Sequence, residues 1–345
     1  MPRSMTESSF LGKRQFSTIG DANESNVLID SYSNECHAIQ HKCCIARDFD
    51  QKMNRSRLQI AKPDIVAFFA EKAPRVLKPR QIGAILSEQR GGWRLARSTT
   101  TDHFIAFLTK SADLKRHAFE FPTRPETLYA WGKVPLFEVL RHLKPKSYFS
   151  HYTAMRMHGL TEQVPKVIYI SHERAAAAGR SELSQAAIDE AFQRPTRVSN
   201  NAVDFGEQRI VLLNSAFTDG LGVIDQAIQH GSEASVAVRA TNLERTLIDA
   251  AVRPPYSGGV FEVAKAFELA RDTLSVNSMG AMLKKLDFAY PYHQAIGFYL
   301  ERAGYRPSTL DLLRRFPMTF DFYLAHEMAE TRFDKTWRLH VPKGF

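Results

Sequence analysis

At 345 residues the chain exceeds one ordinary hydrophobic core, so two domains and a tail are expected. No apolar run approaches the ~20 residues of a bilayer span, and Met1–Phe10 lacks the apolar stretch of a secretory leader, so membrane-spanning and secreted classes are set aside. The formal net charge of +9 calls for an anionic partner, and the three cysteines, Cys36, Cys43 and Cys44, leave the rest of the chain without a disulfide framework, which suits a cytoplasmic protein.

Residues 1–52 are rich in Ser, Asn, Asp and Gln and show no sustained helical or strand period. Two explanations stand side by side: translation starts at Met53, or residues 1–52 are a flexible extension. Cys36-His37 and His41-x-Cys43-Cys44 crowd five metal-ligand types together, but without the second, downstream pair of a zinc site, so no metal and no cofactor are called for.

Regular patterning begins at Pro63. Ile65, Val66, Phe68 and Phe69 fall at helical spacing, and a second helix follows Pro79 with Ile82, Ile85 and Leu86 on one face, ending at Gly91-Gly92. The run Ser98-Thr99-Thr100-Thr101-Asp102 supplies N-caps for a third helix with Phe104, Ile105 and Leu108 inward. Strands are expected at Lys115–Phe121 and Thr127–Trp131 around a Pro122-Thr-Arg-Pro125 turn. Three helices and a hairpin make a winged helix-turn-helix, placed at residues 53–135.

The charge supports that placement. Between Arg75 and Arg116 nine Lys/Arg face three acidic residues, giving +6 of the whole excess. The third helix is the expected reader of double-stranded DNA, with Thr99, Thr100, His103 and Lys110 outward. Lys78, Arg80 and Arg97 would grip phosphates, and Lys115 and Arg116 would enter through the wing. A solvated basic face is the competing explanation.

Residues 136–345 read as a mixed α/β domain, making the whole chain α+β. A helix at Leu136–Leu143 precedes Tyr-Phe-Ser-His-Tyr-Thr-Ala-Met-Arg-Met-His-Gly-Leu-Thr at Tyr148–Thr161. There Ser150 is placed as a helix cap, His158 as a core or cap histidine, and Gly159 as the left-handed residue after the helix. Strands at Val167–Ser171, Arg209–Leu213 and Ser235–Val238 follow, with Ala175–Gly179 a loop or short helix. Helices are expected at Leu243–Val252, Phe261–Arg271, Met279–Phe288 and His293–Ala303, and strands at Phe320–Leu324 and Trp337–Val341. Thr241-x-x-Glu244 reads as a capping box, Arg245 and Asp249 as an i,i+4 pair, and Gly258-Gly259 as a turn leading into a helix that could also hold an anion on free N–H groups. No phosphate-binding loop, zinc-protease motif or nucleophile elbow is present, so no enzyme activity is assigned.

Taken in order behind the winged helix, Tyr148–Thr161, Thr241-x-x-Glu244-Arg245-Thr-Leu-Ile-Asp249, Arg253-Pro254, Gly258-Gly259 and Trp337–Pro342 resemble the AbiEi antitoxin family of abortive-infection toxin–antitoxin systems. The similarity covers about residues 63–345 and departs from the family at residues 1–52 and at Met155, where Leu is usual. It implies a cytoplasmic DNA-binding antitoxin that represses its own operon; separately, a homodimer would suit a palindromic operator, although no dimer seam is legible in the sequence. It also implies a nucleotidyltransferase-fold toxin of the AbiEii type, encoded next door and countered with or without a stable complex. Two other classes remain open on the residues: a nuclease-like enzyme using His158, Glu244 and Asp249, and a ligand-sensing regulator with no toxin.

Overall fold

The computed structural model describes residues 55–175, 182–228 and 235–345, and from Arg57 to Phe345 they form one compact unit. The expectations for residues 1–52, for the Cys/His cluster and for 176–179 lie outside the described residues.

The first helix, α1 (Arg57–Glu71), starts six residues before Pro63, which it carries in its interior. Leu58 and Ala61 are buried and hold the early turns in place, which offsets the hydrogen bond that Pro63 cannot donate. A short strand β1 (Val76–Leu77), helices α2 (Pro79–Gln89) and α3 (Thr101–Ser111), and the hairpin β2 (Leu114–Phe119) and β3 (Glu126–Trp131) follow. The three strands pair antiparallel in the order β1-β3-β2, so the elements run in winged-helix order. Ile65, Phe69, Ile82, Leu86, Phe104 and Leu108 fill the centre, with Phe69 stacked on Trp131 and Trp93 stacked on Phe104. Gly83 lets α2 and α3 approach, because a Cβ there would lie 3.0 Å from the Thr101 hydroxyl.

The remaining elements are α4 (Leu136–Leu140), β4 (Tyr148–Phe149), α5 (His151–Met157), β5 (Val167–Glu173), α6 (Gln185–Gln193), β6 (Ala202–Phe205), β7 (Gln208–Ser215), β8 (Val223–Ile228) and β9 (Val236–Thr241). Their six strands form one mixed sheet in the order β6-β7-β5-β4-β9-β8. Helices α7 (Leu243–Val252), α8 (Val260–Leu269), α9 (Val276–Leu286), α10 (Tyr292–Arg302) and α11 (Pro307–Arg314) then pack with a small sheet of β10 (Phe322–Tyr323), β12 (Leu339–Pro342) and β11 (Thr331–Asp334). Trp337, fully buried, lies against Gly297 of α10, and Gln294 bonds the carbonyls of Phe320, Trp337 and Arg338 to seal this end.

The boundary drawn at residue 135 does not separate two cores. Val76, Phe119, Phe121, Leu128 and Ala130 of the winged helix share one cluster with Val139, Leu143, Phe149, Ile168, Ile170 and Ile210. Strand β3 is apolar on both faces, Tyr129 and Trp131 turning to the helices and Leu128 and Ala130 to this cluster, so its outer face needs a second layer. Burying a phenylalanine contributes about 1.5–3 kcal/mol, so Phe119 and Phe121 alone hold the wing firmly to the large sheet.

Candidate nucleic-acid interface and the second-domain motif

The α2–α3 connection is fixed by local hydrogen bonds. Thr100 is the N-cap of α3 and its hydroxyl accepts from the His103 N–H. Arg90 staples the preceding loop by donating to the carbonyls of Ala96 at 2.5 Å and Thr99 at 3.0 Å, which uses this cation structurally. Thr99 is therefore corrected: its side chain is buried beneath the stapled turn and does not face outward. Thr100, His103 and Lys110 are exposed as expected, but Lys110 sits in the last turn, roughly 13 Å along the axis from Thr101. Such a distance suits a phosphate contact more than a base contact.

Arg80, Arg97, Lys110 and Arg116 are exposed, and none has an ion-pair partner among the described residues. Lys115 pairs only with exposed Asp113, at 3.9 Å. Both wing residues lie on β2, an edge strand, so they remain accessible. Burial first, and then Lys115, lowers the pKa of neighbouring His117. The wing tip itself is docked: the Thr123 hydroxyl donates to Asn201 Oδ1 at 2.6 Å, and Phe119 and His117 both lie against Phe205. The tip of the wing is thus tied down, and the exposed residues of β2 are Lys115 and Arg116.

Lys78 also departs from expectation. Its ammonium donates to the Leu143 carbonyl at 3.0 Å and lies 3.8 Å from Glu126, which also holds Lys144. It lines a recess with Arg141, His142, Lys144, Lys146 and Arg239. Burial, and then Arg141 beside it, lowers the His142 pKa, while Lys78 acts in the same direction. Sequence reading missed this recess because Lys78, the 141–146 run and Arg239 lie far apart in the chain. The signal within reach was Arg141-His-Leu-Lys-Pro-Lys146. Arg94, exposed and unpaired among the described residues with φ +52°, belongs to the basic run but not to the expected contact residues.

The Tyr148–Thr161 motif builds a buried polar network. Ser150 precedes α5 but makes no side-chain cap; its hydroxyl shares hydrogen bonds with Ser171 Oγ at 2.7 Å and His151 Nδ1 at 2.9 Å. His151 adopts φ +51°, a left-handed conformation costing roughly 1–2 kcal/mol, and burial pushes its pKa down to about 4 although Asp249 opposes this. Tyr148 is buried and its hydroxyl is pushed up to about 12 by burial and then by Asp249. His158 Nε2 donates to the Thr241 carbonyl at 2.7 Å, and Gly159 has φ +68°. Both hold the structural places expected of them.

On α7 the cap is Asn242, which accepts from the Arg245 N–H; the expected Thr241 capping box is corrected. Asn242 follows Thr241 directly and its amide oxygen reaches the first turn, leaving the Thr241 hydroxyl to pair with Thr246. Glu244 reaches across to accept from the Ser275 N–H. The Arg245–Asp249 pair forms at 2.8 Å with side chains only 6% and 12% exposed, so it is a buried bridge and not a surface one. Arg245 donates as well to the Leu221 carbonyl at 2.6 Å. Burial would raise the Glu173 pKa, but the Thr218 hydroxyl and N–H, the Gly220 N–H and Arg245 outweigh it and hold the carboxyl below its ordinary value.

His158, Glu244 and Asp249 each serve a different partner, the Thr241 carbonyl, the Ser275 N–H and Arg245. Among the described residues no three His, Cys, Asp or Glu side chains converge as a metal ion would need, and no helix is long and apolar enough to cross a membrane. Gly258 and Gly259, at φ +81° and +91°, turn the chain into α8; a Cβ on Gly258 would meet Glu262 at 2.8 Å.

No family model matches the chain and no curated protein matches it. The crystal structure of the RV2827C protein from Mycobacterium tuberculosis is similar in fold, with a TM-score of 0.52 at 14% identity, across 83% of this chain and 92% of that one.

Proposed function

We propose that this chain is a DNA-binding transcriptional repressor of its own operon and an antitoxin of the AbiEi type, countering a nucleotidyltransferase-fold toxin encoded beside it. The observation that carries the DNA half is the set of exposed, unpaired cations around a helix-turn-helix: Arg80, Arg94, Arg97, Lys110 and Arg116. Cations left without carboxylate partners keep a positive field that phosphates neutralise, with release of condensed counterions. Thr100, His103 and the outer face of α3 would enter the major groove, while Lys115 and Arg116 on β2 contact the backbone. The basic recess at Arg141–Lys146 and Arg239 would extend the footprint beyond the helix-turn-helix.

The antitoxin half rests on the resemblance of the second domain's motifs. Their side chains mostly hold one another: Arg245 with Asp249, Ser150 with Ser171, His158 with Thr241. They shape the domain, and the surface built on it would act on the toxin. A reporter driven by the upstream region of the operon tests both halves together. Repression by the chain, its loss in an Arg80→Ala/Arg97→Ala variant, and rescue of growth when the neighbouring gene is co-expressed are the expected results. Unchanged repression in that variant would refute the assigned face, and failure of growth rescue would refute the antitoxin role.

A further inference from the structure

A second cavity, of about 190 Å³, opens between the α7–α8 turn and the β10 region. Arg253 lines it, half-buried, with no ion pair and no side-chain hydrogen bond among the described residues. A half-buried guanidinium with no carboxylate partner keeps a positive field in the cavity that an anion would complement. Gly259 and Val260 line the same cavity at the N-terminus of the ten-residue α8. Gly259 provides no side-chain cap, and the Val260 and Phe261 N–H groups have no backbone acceptor among the described residues. Free N–H groups and the helix dipole at such an end favour negative charge. Glu262 in that first turn is engaged by the Thr161 and Tyr152 hydroxyls.

Tyr292 adds a further donor. It lines the cavity, and its hydroxyl makes no hydrogen bond among the described residues. Burial pushes it up to about 12 despite the opposing influence of Arg253, so it stays a neutral donor at working pH. The facing wall is an aromatic stack whose rings cover one another, Tyr323 stacking in turn on His340 at 4.7 Å, so Val252, Pro255 and Val260 supply the open apolar lining. Phe192 stacks on His326 at 4.2 Å and on Tyr323 at 5.5 Å, and His326 is anchored by donating Nδ1–H to the Ala191 and Arg194 carbonyls. No acidic residue lines the space.

We propose that this cavity binds a small oxyanion carrying a flat apolar ring, with Arg253, the α8 N-terminus and Tyr292 holding the charged group and the apolar lining of Val252, Pro255 and Val260 packing on the ring. The volume limits the ligand to about one ring, since an apolar cavity near 150 Å³ already accepts benzene. A carboxylate and a phosphate monoester share the required chemistry. The site is independent of the DNA-binding reading.

Isothermal titration of the full chain with benzoate, phenyl phosphate and inorganic phosphate tests it. Saturable binding of benzoate or phenyl phosphate with a Kd below about 1 mM is expected, and whichever binds identifies the headgroup. Arg253→Gln should weaken binding at least tenfold, and Tyr292→Phe severalfold. Because the arginine is unpaired, Arg253→Gln should keep or raise the melting temperature, whereas a merely structural arginine would lower it. No saturable binding by any probe, or equal binding in Arg253→Gln, would overturn the site. Inorganic phosphate binding as tightly as phenyl phosphate would overturn the role of the apolar lining.

Discussion

Removing the Asp249 carboxylate should be among the most damaging single changes in the second domain. Arg245 is 6% exposed in its side chain and donates to Asp249 at 2.8 Å and to the Leu221 carbonyl at 2.6 Å. In Asp249→Ala the guanidinium remains buried with only carbonyl and hydroxyl partners. Breaking one side of such a pair costs about 3–5 kcal/mol, whereas replacing both partners by apolar side chains of similar volume is often nearly neutral. Asp249→Ala should therefore lose about 3–5 kcal/mol, and Arg245→Met/Asp249→Leu much less. At this size that is a fall of roughly 5–8 °C in melting temperature. Urea unfolding followed by tryptophan fluorescence reads it, since Trp337 is buried in the same domain. A loss under about 1 kcal/mol for Asp249→Ala, or a double variant worse than the single, would refute the reasoning.

Three further outcomes rest on other interactions. Gly297→Ala should destabilise by at least about 1–3 kcal/mol in thermal unfolding, although alanine is the better helix former, because the added Cβ lands on the buried Trp337 indole. Burial pushes His151 and His293 down to about 4, so the unfolded chain takes up protons first. Stability is then complete above pH 6.5 and falls as pH drops towards 4, by about 2 kcal/mol per histidine at pH 5; His293→Gln should flatten that decline in urea titrations between pH 7 and pH 5. Arg90→Ala should lower both the melting temperature and DNA affinity, since it frees the Ala96–Thr99 turn, while Arg97→Ala should lower affinity alone. Equal melting losses in the two variants would contradict that division.

Much of the helix-turn-helix head is legible in the residues. Phe104, Ile105 and Leu108 repeat at helical spacing behind a run of hydroxyls, and the buried residues of α3 are the same three. Helices α7 and α10 are likewise visible, because their apolar stripes are continuous. The pattern fails where a side chain has two possible partners. Ser150 looks like a cap, but β5 brings Ser171 to its hydroxyl; Thr241 looks like a cap, but Asn242 lies closer to the role. Short strands such as β1 and β6 have too few residues to show an alternation. Lys78 and Thr99 depart from the local pattern because their fates depend on Leu143, Glu126 and Arg90, which no short window of sequence brings together. The cavity at Arg253 joins segments spread from Phe192 to His326, and only the fold assembles it.

Binding of the chain to its own upstream DNA, followed by fluorescence anisotropy across a salt series with an unrelated duplex alongside, tests operator recognition most directly. Upstream DNA should bind at least about a hundredfold tighter than the control duplex. The log–log salt slope should shrink by about 0.9 in Arg97→Ala and in Lys110→Ala, one phosphate fewer being neutralised in each. Equal affinity for both duplexes, or an unchanged slope in both variants, would contradict a sequence-specific DNA-binding role for this face.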